Sequence, residues 1–196
     1  DDFAVARYNT DGTLDTSFGV GGKLTTAFGT GVDQAYAVAI YPASDPNGNG
    51  GKIIVAGQAR MTTNDFAIVR YNSNGTLDTT FGTGGKVTTE FSAGATDYAR
   101  AVAIDSNGKI VVAGSTKSVP PKKGQKTYFE FAIARYTANG TLDATFGTEG
   151  KFTVSMAPNH AYANAILIQP DGKIVVGGKG ETSNNNYSFV LLRVTD

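Results

Sequence analysis

The chain contains no cysteine, and that absence removes disulfides, thiolate nucleophiles and cysteine-bound zinc together. Tryptophan is absent too, and there is one histidine, His160. Without a second imidazole or a thiolate, His160 can build neither a catalytic triad nor a usual zinc site, so it reads as a surface loop residue after Pro158. Neither sign of charge is in excess: 17 lysines and arginines meet 17 aspartates and glutamates, for a formal net charge of +0. A nucleic-acid partner would demand a basic face and an acidic disordered tail the opposite bias, so the balance speaks against both. No apolar run approaches the roughly 18 residues of a membrane span. No signal peptide precedes the first strand at Asp1, which suggests a mature or excised piece. The missing cysteine suits a bacterial exported protein, placed outside the cell or on its surface.

Glycine is what the chain has in quantity. Its 25 glycines in 196 residues keep no collagen period and point to many tight turns between short strands. The chain also repeats itself. "DFAVARYN" at Asp2 returns as "DFAIVRYN" at Asp65, "EFAIARYT" at Glu130 and "SFVLLRVT" at Ser188, with 63, 65 and 58 residues between successive phenylalanines. The repeats span 2–64, 65–129 and 130–187, with the start of a fourth at 188–196, in a single repeat domain. Each continues through a polar connector ("NTDGTLDTSFGVGGK" at Asn9), a "GKVTT" segment, an alanine-bearing "ARAVAI" segment and a "KIVVAG" segment. The opening arginine segment and the last three of these are short, β-branched or aromatic, and bounded by turn residues, so these four read as strands. Thirteen strands result. The third strand of each repeat alternates small against bulky: Ala35, Ala37 and Ala39 on one face, Tyr36, Val38 and Ile40 on the other. Such sheets stack on copies of themselves, as radial blades do.

In the connector, Asp11-Gly12, Asn74-Gly75 and Asn139-Gly140 read as type I′ hairpin pairs. Leu14 and Phe18, with their copies, anchor it. Asp15, Asp78 and Asp143 cap the following backbone amides, and Gly19, Gly82 and Gly147 supply positive φ. A phosphate loop is excluded, because the position that needs glycine holds Ser17, Thr80 or Thr145 and a strand follows. Asn9, Asp11 and Asp15 suggest calcium in the first copy, a weaker alternative because the carboxylates drain away in later copies.

On these motifs the chain resembles the delta-sixty repeat family of bacterial β-propeller proteins. The resemblance covers essentially the whole chain in three copies. It implies a propeller blade in long exported or surface proteins, without an assigned enzymatic activity. Its departures are Glu149 in place of a glycine, an extended turn at Asp45 and the insertion "SVPPKKGQKTY" at Ser118. The expected fold is all-β: a propeller-type array of four-stranded antiparallel blades, with the alanine strand innermost and "GKVTT" outermost. That order yields two outer strands, two complete blades and a final three strands. A piece of a longer array, a closed ring of several copies, or a head-to-tail fibre would each resolve the incomplete blades. Assembly through exchanged strands would engage Phe3 and Val5 at one end and Phe189 and Leu191 at the other.

The repeated arginines Arg7, Arg70, Arg135 and Arg193 are expected to form one bidentate ion pair per repeat with Asp15, Asp78 and Asp143. Tyr36, Arg100 and Asn164 occupy one variable position of a near-identical repeat and form the best candidate for a ligand-facing rim. Lys117, Lys122, Lys123 and Lys126 make the insertion basic, which reads as a solvated loop. No cofactor is implied and no catalytic constellation is visible. The sequence therefore predicts a non-enzymatic scaffold or adhesion module whose partner is itself or further blades, with a glycan-binding lectin-like propeller as the alternative and an uncharacterised hydrolase third.

Overall fold

The computed structural model of the protein describes residues 1–118, 126–156, 158–183 and 186–194. Among these residues there are thirteen strands and no helix. They form four antiparallel sheets, each ordered as the chain runs. The first pairs β1 (Phe3–Ala6) with β2 (Lys23–Thr26). The second holds β3 (Asp33–Ile40), β4 (Ile53–Arg60), β5 (Asn64–Tyr71) and β6 (Lys86–Thr89). The third repeats this with β7 (Asp97–Ile104), β8 (Ile110–Lys117), β9 (Phe129–Tyr136) and β10 (Lys151–Val154). The last has β11 (Ala161–Ile168), β12 (Ile174–Ser183) and β13 (Asn186–Val194). The expected sequence of two, four, four and three strands is therefore present. Each sheet after the first draws its first two strands from one repeat and the rest from the next. Lys122 and Lys123 of the insertion, and Thr195 and Asp196 at the end, lie outside the described residues.

The core lies between sheets. One apolar cluster joins the first sheet to the second through Phe3, Phe18, Val55, Val69 and Tyr71. A second joins the second sheet to the third through Ile54, Phe66, Phe81, Val112 and Tyr136. The last places Phe131, Ile133 and Phe146 against Ala161, Ala163 and Val176. The innermost strands touch in series, β3 on β7 and β7 on β11. Small side chains suit that crowded axis, since bulkier ones would force the sheets apart.

The alternation expected for the alanine strands is interrupted. Each carries a bulge, between Ala35 and Ala37, Ala99 and Ala101, and Ala163 and Ala165. An extra residue shifts the strand's period by one. Ala99 therefore packs in the same cluster as Val102 and Ile104, and Ala163 with Ile166 and Ile168. The all-small face predicted from Ala35, Ala37 and Ala39 does not exist. Tyr36, Arg100 and Asn164 are the inserted residues.

The connector turns also differ from expectation. Gly12 has φ of 85°, but Asp11 is not in the left-handed region that a type I′ turn requires. The Gly12 amide donates to the Asn9 carbonyl and the Asn9 amide to the Thr13 carbonyl, a three-residue loop ending in a left-handed glycine. Asn72–Thr76, Thr137–Thr141, Asp105–Lys109 and Gln169–Lys173 repeat the same pattern.

Glu149 is the one non-glycine residue at positive φ, 52°, among the described residues. Gly21 and Gly84 hold that place in the other copies, at 59° and 57°. Glu149→Gly should raise stability by about 1 kcal/mol, read from paired urea melts; an unchanged midpoint would mean Glu149 carries no strain.

Candidate functional site

The connector proves to be a seam. Asp78 Oδ2 accepts from Arg70 Nε at 2.7 Å and from Lys52 Nζ at 2.8 Å, while Oδ1 accepts from the Thr80 hydroxyl at 2.7 Å and its amide at 3.2 Å. Asp143 repeats this with Arg135, Lys109 and Thr145. Asp15 has Arg7 Nε at 2.8 Å and the Ser17 hydroxyl and amide. Burial alone would raise the Asp78 and Asp143 carboxyls. The lysine and threonine hydrogen bonds and the arginine charge instead hold both well below the usual carboxylate range. The bidentate pairing expected for the arginines is not found in these contacts. Only Nε meets the carboxylate, because the two Nη groups are committed elsewhere. Arg70 Nη2 donates to Thr80 Oγ1, and Nη1 donates to the Ala138 carbonyl in the following connector. Arg7 Nη1 likewise reaches the Ser73 carbonyl. Arg193 is exposed and has no ion pair among the described residues, so it does not continue the series.

The seam therefore stitches each repeat to the next. The Gly19 amide donates to the Asn74 carbonyl and the Gly82 amide to the Asn139 carbonyl, both at 2.9 Å. Arg70 and Arg135 also lie 4.7 and 4.6 Å from the ring centroids of buried Phe81 and Phe146. The Tyr71 hydroxyl donates to Thr26 Oγ1 and the Tyr136 hydroxyl to Thr89 Oγ1, each at 2.7 Å across a sheet boundary. The atoms proposed for calcium serve their own turns: Asp11 Oδ1 accepts the Thr13 amide and hydroxyl, and Asn9 Nδ2 donates to Thr13 Oγ1. Among the described residues no group of three acidic or histidine residues could hold a metal ion.

Two sheet faces stay open. On the last sheet Leu167, Phe189 and Leu191 are 62%, 78% and 64% exposed. On the second sheet the two-stranded first sheet leaves Val38 and Ile40 bare, beside a hollow of about 420 Å³ bordered by Val5, Ala6 and Arg7. Phe3 itself is fully buried, so of the four predicted assembly residues it is Phe189 and Leu191 that present apolar surface.

The predicted rim is brought partly together. The Arg100 guanidinium lies 3.9 Å from the Tyr36 ring centroid, and Arg100 and Asn164 line one groove with Tyr98, Ser115, Phe129, Tyr162 and Lys179. The sequence reading missed the aromatics of this groove and the part played by His160. That residue is half-buried rather than a loose loop residue: its Nδ1 accepts the Phe129 amide at 3.0 Å, and its ring stacks on Tyr162.

Asp97 is buried where its carboxylate accepts the Phe91 amide at 2.9 Å. Burial, with Asp65 and Glu90 nearby, pushes its pKa up to about 6. A raised carboxyl holds its proton in the folded state, so its contribution is present below about pH 4 and fades as pH rises through about 6, a loss on the order of 2–3 kcal/mol. Asp97→Asn should therefore gain on the parent between pH 4.5 and 7 in chemical denaturation. A difference that does not change with pH would contradict this assignment.

Antiparallel sheets packed face to face, with innermost strands meeting in series, are blades, and this is the blade array of a β-propeller. The family model described as "Domain of unknown function (DUF5122) beta-propeller" matches residues 1–18, 51–81, 106–146 and 169–195, and the chain belongs to that family. The matched segments cover more than half of the chain and contain the arginine strands of the seam and its connectors as far as Phe18, Phe81 and Phe146. No curated protein matches the chain. Among the described residues no helix is long and apolar enough to cross a membrane.

Proposed function

We propose that the chain is a non-enzymatic structural module, exported to the cell surface or beyond, that joins to further blades of its own kind. One observation carries this reading: the two open faces are the two halves of the contact already used inside the molecule. Val175, Phe189 and Leu191 on the last sheet stand in the register of Val111, Phe131 and Ile133, which are buried between the third and fourth sheets. Val38 and Ile40 stand in the register of Val102 and Ile104, which pack between the second and third. Apolar surface of this extent marks an interaction site, and complementary unlike faces give rings or fibres by head-to-tail association. The edges of β1 and β13 that face away from their partners add unpaired backbone groups. Resemblance to the delta-sixty repeats of bacterial surface proteins supports the location.

Light scattering across a concentration series, with negative-stain microscopy, tests the proposal. Mass should rise in steps of one chain toward rings or fibres. Leu191→Asp and Phe189→Glu, both at exposed positions, should keep the chain monomeric without lowering its melting temperature. A parent chain that stays monomeric at its highest attainable concentration would sink the self-assembly reading.

A further inference from the structure

Four positions at one end of each sheet change chemistry while the rest of the repeat keeps step. In the second sheet they are Gln34, Tyr36, Gln58 and Asn64; in the third Tyr98, Arg100, Ser115 and Phe129; in the last Tyr162, Asn164, Lys179 and Tyr187. The fold requires no aromatic side chain at the positions of Tyr98 and Tyr162 or of Phe129 and Tyr187, because the second sheet has Gln34 and Asn64 there, with a hydrogen bond from Gln58 Nε2 to Gln34 Oε1 at 2.9 Å. In the later sheets the rings gather. Phe129 lies 5.8 Å from Tyr98 and 5.1 Å from Tyr162, and Tyr162 lies 6.3 Å from Tyr187. Two cations rest on them: Lys179 Nζ is 4.3 Å from the Tyr187 centroid and 5.2 Å from that of Tyr162, and Arg100 is 5.6 Å from that of Tyr98.

We infer that this groove, between the third and last sheets, binds an acidic saccharide, with a uronate as the charged unit. Its volume of about 460 Å³ suits one or two sugar rings. Tyr98, Phe129 and Tyr162 are half-buried, which fixes each ring and leaves surface to solvent, and an aromatic face attracts the weakly positive C–H face of a pyranose. None of the residues lining the groove carries a carboxylate. Cations held by ring faces keep their charge for an incoming anion, so Lys179 and Arg100 select an acid over a neutral sugar. Asn164, exposed on the bulge, supplies an amide for ring hydroxyls. A single-stranded nucleic acid would also stack on such rings, but it carries one phosphate per nucleotide, and two cations on a chain of net charge +0 provide no basic track.

The experiment titrates the whole chain with a uronic-acid trisaccharide, its methyl ester and an oligothymidylate. With no tryptophan present, tyrosine emission, to which the groove residues Tyr98 and Tyr162 contribute among nine tyrosines, follows the titration. The acid should bind saturably and at least about tenfold more tightly than the ester, the value of one added charge contact. Lys179→Gln, at an exposed position, should remove most of that difference and leave the ester's affinity alone. Tyr162→Ala should weaken acid and ester together; if it lowers the melting temperature, Tyr187→Ala at the groove's edge replaces it. Lack of saturable binding, equal affinity for acid and ester, or tighter binding of the oligothymidylate would each overturn the inference. Self-association does not enter this measurement, because Leu191→Asp provides the same groove on a monomer.

Discussion

Asp78→Ala is expected to lower the unfolding free energy by about 3–5 kcal/mol, the cost of leaving buried charge without its partner. The Arg70 side chain is 3% exposed, and its Nε and Lys52 Nζ both rest on the lost carboxylate oxygen. The Thr80 amide loses its acceptor in the same step. Asp15→Ala provides the internal comparison, since the same motif there has its arginine and aspartate side chains 34% and 23% exposed. Water can solvate Arg7 when its partner goes, so that loss should be much smaller. Equal losses in urea melts would mean that burial is not what gives the motif its strength. The pH dependence has the sign of a depressed carboxyl: the contribution of Asp78 and Asp143 is present above their ordinary pKa near 4 and fades as pH falls below it. Asp97 works in the opposite direction between about pH 4 and 6, so removing it should expose the acid limb of the seam more clearly.

Gly178→Ala carries the second large effect, a loss of about 3 kcal/mol or more. A β-carbon there would sit 2.1 Å from the Tyr162 carbonyl oxygen and 2.9 Å from the Ala163 α-carbon. Both are backbone atoms of the bulged strand and cannot swing aside. Gly57 and Gly114 meet the equivalent carbonyl oxygens, of Gln34 and Tyr98, at 1.9 Å. The adjacent Gly177→Ala should be close to neutral, because its nearest neighbours would be 4.0 Å away and Ala56 and Ala113 fill that register in the other sheets. Similar melting temperatures for these two neighbouring variants would show that the bulge does not need its glycine.

The bulge also marks where sequence reading stopped. The strands, their order and the arginine–aspartate pairing were legible because three copies kept one spacing, and the propeller class followed from them. Alternation along "AYAVAI" fits an unbroken strand as well as a bulged one, so the reading put Ala35 opposite Val38. A signal was present in the glycine that closes each "KIIVAG", "KIVVAG" and "KIVVGG" segment (Gly57, Gly114, Gly178), since an interior strand glycine often admits a close backbone approach. The Asn-Gly pairs suggested the two-residue turn, and only the pairing of Asn72 with Thr76 shows the longer loop. The aromatic groove could not be found in one dimension. Phe129, Tyr162 and Lys179 come from three different strands and meet only when two sheets pack.

Each blade takes its inner strands from one repeat and its outer strands from the next, so the genetic period and the physical unit are offset by half a sheet. Gaining or losing one period of sixty-odd residues would therefore change the number of blades without leaving a half-built sheet in the interior. The offset also acts as a lap joint: force pulling two neighbouring periods apart must tear strands out of a shared sheet before it can separate them.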